Sequence, residues 1–314
     1  MDGVFSSRNA HAPRPSRKPS EKIPPLRTPA PPHPVLRYAY NTNGCANHRL
    51  GEALAFIAEA GYDGVALTLD HHHFDPFAPH FDRRAGRLDA RLRELGLDLV
   101  VETGARFLLN PRHKHEPTLL HPDTDARERR LDFLTRALDV CALCGGEAVS
   151  FWSGAPQNSV SEDDAWRRLI EGVRVVVERA EERGVTAAFE PEPGHLTETV
   201  GSYQRLTEHT PGLRLALDTG HCLVTQDIAP AEAVRAYADR LGTVAIEDMQ
   251  RGVHQHLPFG EGDMDVPAVL QALREIGFDR LVCVELSRAS PTAHEAIPQS
   301  IDFLKTAERQ LAHR

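Results

Sequence analysis

Residues 213–222 read LRLALDTGHC, and this stretch decides the fold. Leu213 to Leu217 is almost continuously apolar, as a strand buried on both faces of a parallel sheet must be. It ends in Asp218, and Thr219, Gly220 and His221 follow with no room for a helix between them. The segment reads as a buried strand that presents a carboxylate and an imidazole at its C-terminal end. Two other stretches repeat the form. Residues 185–190 (VTAAFE) run into Glu190 and a Pro-Glu-Pro-Gly turn, and residues 281–285 (LVCVE) run into Glu285. Strands of this kind separated by helical segments bring their acids to one end of a parallel sheet. Carboxylates gathered there repel one another, and a divalent cation is the simplest neutralising partner.

Outward from this core the chain alternates. Strands are expected near residues 35–40, 64–69, 97–102, 148–152, 185–190, 213–218, 241–247 and 280–286. Helices are expected over 50–60, 83–95, 125–144, 164–183, 199–208, 231–239, 266–276 and 292–310, several closed by a glycine. Eight strands and eight helices make a single (β/α)₈ TIM barrel over residues 35–314. The chemically interesting side chains fall at strand ends: Tyr40, the His71–His73 run, Glu102, Trp152, Glu190, Asp218 with His221, Glu247 and Glu285. That is where such barrels carry their active sites. Residues 1–34 hold nine of the 23 prolines and are expected to be a disordered Pro/Arg-rich tail.

Composition narrows the class. The chain of 314 residues is 41% hydrophobic, enough for a sizeable core, with no apolar run of membrane-spanning length and no secretory h-region. Its five cysteines are odd in number and lie mostly in apolar segments, so reduced thiols in a cytoplasmic protein are expected. The net charge is −9, and residues 1–36 carry +4, leaving −13 for the rest. So acidic a body argues against a phosphate-backbone partner. No nucleic acid and no membrane are expected as partners.

Side-chain chemistry adds detail. Trp152 is either a stacking wall for a sugar face or a barrel plug. His254 and His256 share a face if their segment is extended. Arg106 and Arg251 either bind a substrate or balance the acids. Two Glu, one Asp and one or two His make an oxygen-rich site, suited to one Mn²⁺, Mg²⁺ or Co²⁺, with Zn²⁺ possible as the histidine count rises.

EPEPGH at Glu190, LDTGH at Asp218, HLPFGEGDMD at His256 and VELS at Glu285 together resemble the xylose isomerase-like TIM-barrel superfamily. That group contains sugar and sugar-phosphate isomerases and epimerases, inosose dehydratases and the type IV apurinic endonucleases of AP endonuclease family 2. The resemblance covers roughly residues 35–310. It implies metal ligands at Glu190, Asp218 and Glu285. The family's histidine ligand falls at Ala245, which cannot ligate. His256 occupies the place of an endonuclease-type ligand, and Glu247 and His254 are alternatives. The resemblance further implies substrate contacts at His221 and Arg251, and it places Leu196 where epimerase-like members have a further Glu. By analogy it implies a homo-oligomer.

The function expected is a metal-dependent sugar or cyclitol (phosphate) isomerase or epimerase. Glu190 and Glu285 would act as general acid and base through an enediolate, with His221, Arg251, Trp152, Tyr40 and His254 around a polyol or sugar. A dehydratase or lyase on the same site is the second expectation. An endonuclease-like hydrolase and a non-catalytic barrel rank below both.

Overall fold

Eight parallel strands close into a barrel in the computed structural model, which describes residues 35–312. The expected tail, residues 1–34, lies outside the described residues. The barrel strands are β1 (Arg37–Asn41), β2 (Gly64–Thr68), β3 (Asp98–Glu102), β4 (Ala148–Phe151), β5 (Thr186–Phe189), β6 (Arg214–Asp218), β7 (Leu241–Ile246) and β10 (Leu281–Val284). They pair in that order, and β10 closes the ring against β1. The helices are α1 (Leu50–Glu59), α2 (Phe81–Leu95), α3 (Thr124–Leu143), α4 (Glu162–Arg183), α5 (Val200–Thr207), α6 (Thr219–Thr225), α7 (Pro230–Ala236), α8 (Val266–Glu275) and α9 (Ala293–Ala312).

Local chemistry accounts for the boundaries. In α4 the Ser161 hydroxyl accepts the Asp164 N–H at 3.2 Å, three acids fill the first turn, and Gly184 ends the helix at φ +66°. Such a cap contributes about 1 kcal/mol. Along each strand the side chains alternate between two unequal environments. Ala39, Ala66, Val100, Ala148, Ala188, Ala216 and Cys283 fill the barrel interior in two small clusters. The bulkier Tyr38, Tyr40, Leu67, Phe151, Phe189, Leu217 and Ile246 point outward and join the main core under the helices. The hydrophobic mass therefore lies between sheet and helices, and the interior stays narrow.

Two local expectations are corrected. Asp218 is followed at once by α6, so Thr219, Gly220 and His221 form its first turn. The segment after Glu247, expected as a loop, is an antiparallel hairpin of β8 (Asp248–Gln250) and β9 (Val253–Leu257). All five cysteines are free, four of them buried. Among the described residues no helix is long and apolar enough to cross a membrane.

Candidate active site

Asp218 ends β6 and caps α6, its Oδ1 accepting the His221 N–H at 3.0 Å. The cap fixes both side chains, because His221 sits one turn into the helix that Asp218 begins. His221 is buried, and its Nδ1 lies 2.9 Å from the Pro191 carbonyl. A carbonyl only accepts, so Nδ1 carries the proton and Nε2 presents a lone pair. That lone pair faces Asp218 Oδ2 at 3.5 Å and Glu192 Oε2 at 3.7 Å. Burial pushes the imidazole down to about 4, so it is neutral near pH 7.

Around this pair the other strand ends converge. Glu190 follows β5, and its Oε1 lies 3.9 Å from His221 Nδ1. Glu285 follows β10 and accepts amide hydrogens from Asn43 at 2.8 Å and Asn41 at 3.2 Å. Glu102 ends β3 and accepts the Gly104 N–H. Glu247 follows β7 fully buried, and neither of its oxygens has a hydrogen-bond partner. Gly220 makes room for it, since a Cβ there would collide with Glu247 Oε1.

The electrostatics follow from this crowding. Burial, then the Glu285 charge, pushes Glu102 up to about 7; burial, then Asp218, does the same to Glu285. Glu190, Glu192 and Glu247 are raised by burial and by each other's neighbouring acids. Burial works to raise Asp218 as well, but His221 and His256 outweigh it, and it is held below the ordinary carboxylate range. Two unit charges 4 Å apart repel by about 4 kcal/mol at an effective dielectric of 20. So many acids cannot all ionise here without a cation.

The hairpin supplies the remaining groups. Asp248 is buried and accepts the N–H groups of Gly260 at 2.8 Å and Met264 at 2.9 Å, which anchors the base of the hairpin. On β9, His254 and His256 then face His221, with ring centroids 4.9 and 6.4 Å away. His254 Nε2 is 3.8 Å from Glu192, and His256 Nδ1 is 4.0 Å from Glu247.

Three groups of potential ligand atoms at this mouth each lie within 4.8 Å of one another: Glu190, Asp218 and His221; Asp218, Glu247 and His256; and the three histidines 221, 254 and 256; a fourth, Asp70, His71 and His72, follows β2. Asp218 Oδ2, His221 Nε2, both Glu247 oxygens and His256 Nδ1 are buried with no hydrogen-bond partner. Acceptor lone pairs pointed at one another without a donor are what a divalent cation would satisfy. The residues present fit such an ion.

The expected residues are thus distributed unevenly. Glu190, Asp218, His221, His254 and His256 come together, and Glu285 lines the same interior cavity as Glu190 and Asp218. Ala245 pairs with Asp218 in register and faces the same cavity with only a methyl group. Trp152 is buried at the mouth, between His115 and His195, with the Arg130 guanidinium 4.4 Å over its ring. Tyr40 needs correction. It points outward, fully buried against Tyr62, because side chains alternate along β1 and its neighbours Ala39 and Asn41 take the inward positions. Arg251 is exposed at the hairpin turn beside Gly252, its backbone N–H donated to Asp263. Sequence reasoning missed Asn41 and Asn43, whose signal was the polar NTNG turn after β1, and Glu192, the second acid of EPEPGH.

The chain belongs to the xylose isomerase-like TIM barrel family, whose model matches residues 54–307. It is 25% identical over 262 residues to an L-ribulose-5-phosphate 3-epimerase (UlaE) of Escherichia coli, covering 81% of this chain and 88% of the relative. The corresponding Shigella flexneri protein is 23% identical over 263 residues, with the same coverage. Among solved structures, an E. coli 3-keto-D-glucoside 4-epimerase superposes with a TM-score of 0.70 at 19% identity, over 87% of this chain and 100% of the other. A D-allulose 3-epimerase from Methylomonas sp. gives 0.68 at 18% identity, over 87% and 97%. These structural likenesses concern the fold.

Proposed function

We propose that the protein is a divalent-metal-dependent sugar epimerase that moves a proton at the carbon beside a ketose carbonyl. The observation that carries this reading is the convergence of buried carboxylates with unpartnered oxygens at the C-terminal mouth of the barrel. The sugar epimerases among the relatives support it.

Asp218 is the carboxylate common to two of the ligand groups, and it is the central ligand in this reading, with Glu190 on one side and Glu247 with His256 on the other. Glu285 completes the set. This oxygen-rich shell suits Mn²⁺, Mg²⁺ or Co²⁺, and its histidine admits Zn²⁺. The chemistry a bound ion supplies is polarisation of the substrate carbonyl. The chain's own groups then handle the proton. Glu190 and Glu285 approach from different strands, so one removes the proton from the carbon and the other returns one to the opposite face. Asn41 and Asn43 hold the Glu285 carboxylate in place. His221, its tautomer fixed by Pro191, and His254 bind substrate oxygens, and Trp152 walls the mouth.

The test is proton exchange. Incubated with Mn²⁺ in D₂O, a panel of ketopentoses, ketohexoses and their phosphates should yield an epimer carrying one deuterium at the inverted carbon. Glu190→Gln and Glu285→Gln should each slow this by about 10²- to 10⁴-fold, the usual range for a lost acid or base. Loss of water from the labelled sugar would select a dehydratase instead. No deuterium uptake into any ketose would sink the reading.

A further inference from the structure

The carboxylate end of the barrel has little room of its own. The cavity lined by Asn41, Glu102, Ser150, Glu190, Asp218 and Glu285 measures about 20 Å³, space for about one water-sized group. Anything larger than the reacting carbons must extend outward. Beyond His256 lies a cleft of about 530 Å³ between the end of β9 and helix α9, a volume in the range of small-molecule sites. His256 stands between the cleft and the acids, lining the cleft while its Nδ1 lies 4.0 Å from Glu247.

The lining of the cleft states what it would accept. Phe259 and Phe303 stack at 5.1 Å with their planes 13° apart and give one apolar wall. Gln255, Gln299 and Thr292 offer hydrogen-bond donors and acceptors. The charges are Arg288 against Glu261 and Glu295, one cation against two acids. A phosphate dianion would meet more repulsion than attraction there. A neutral ring with an apolar C–H face and a rim of hydroxyls meets a surface that fits both halves.

We propose that this cleft seats a neutral polyhydroxyl group distal to the reacting carbons, such as the second ring of a glycosylated ketose. This rests on the epimerase reading for the chemistry, though not for the binding. The position of His256 sets the order of occupancy: the reacting carbons lie at the acids and the distal ring lies on the far side of His256.

Calorimetric titration of the full chain with Mn²⁺ tests the binding. Maltitol should bind at least tenfold more tightly than sorbitol, and Phe303→Ala or Gln299→Ala should bring that preference close to one. In turnover, isomaltulose should have a kcat/KM at least tenfold above D-fructose. Preserved maltitol preference without turnover of either sugar would support the cleft and overturn the epimerase reading. Equal affinity for maltitol and sorbitol would overturn the proposal. So would sorbitol 6-phosphate binding more tightly than maltitol with a dependence on Arg288, shown by Arg288→Ala. A third contrary result is Phe303→Ala converting a dimer to a monomer in light scattering while maltitol preference persists, which would assign the cleft to a second copy of the chain.

Discussion

The ends of β6 and β7 lie side by side, Asp218 in register with Ala245, yet they furnish the site in opposite ways. At β6 the strand passes into α6 with no loop. One carboxylate caps the helix and fixes an imidazole one turn on, so ligand, orienting contact and partner fall within four consecutive residues. At β7 the corresponding inward position is an alanine. The carboxylate arrives two residues later as Glu247, and the histidines arrive later still on a hairpin whose base is anchored by Asp248. On the proposed reading, a missing side chain at one strand end is offset by a carboxylate two residues on and by histidines that the hairpin returns to the same place.

The comparison breaks most visibly at Asp218. It is shared by the Glu190–His221 group and the Glu247–His256 group, so its loss disrupts both. Asp218→Ala should lower divalent-ion affinity by roughly two orders of magnitude or more, since a buried site that has lost its central charge holds the ion poorly. Native mass spectrometry of purified protein reads this directly. An ion retained at full occupancy would mean that the β6 end is not the centre of the site.

A smaller effect sharpens the electrostatic side of the same comparison. Glu102 and Glu285 titrate near 7 in the folded, ion-free protein because burial and neighbouring acids disfavour their charge. Their folded pKa values lie above the unfolded ones. Their contribution to stability is therefore fully present below the ordinary carboxylate range and lost as pH rises through about 7. His221 works the other way, but only below the ordinary histidine range, because its folded pKa is depressed to about 4. Comparing pH about 6.5 with about 8.5 isolates the acids of the site from its histidines, since burial holds His221, His254 and His256 below the ordinary histidine range. The rise in Tm on adding Mn²⁺ should be several degrees larger at the higher pH, where no protons compete for the oxygens. A Tm gain that does not change with pH would show that these acids are not the ion's neighbours.

The β6 end was legible in sequence because everything it uses is local: an apolar run, an acid, a tight turn and a histidine. The barrel followed from the repetition of that unit. What escaped was parity and return. Ala39 and Asn41 face inward and Tyr40 between them faces outward, and period-two alternation makes such a parity decisive. The hairpin escaped because a short antiparallel pair with polar residues reads as a loop until its partner strand is known. The place of Arg251 at the turn was hidden for the same reason, as spacing along the chain says nothing about which residue becomes the turn. Glu192 was hidden in a Pro-Glu-Pro-Gly turn, where an acid reads as solvated until the His221 ring is found against it.

The central claim is that Glu247, with the hairpin histidine His256, supplies at β7 what Ala245 lacks. The most direct test is the metal content and ion affinity of Glu247→Gln, alone and combined with Ala245→His. Glu247→Gln keeps the shape and removes the charge. The account predicts that it weakens ion binding by at least tenfold and that adding Ala245→His recovers a substantial part of the loss, with the preference moving toward Zn²⁺ as a nitrogen replaces an oxygen. Unchanged ion affinity in Glu247→Gln would contradict it.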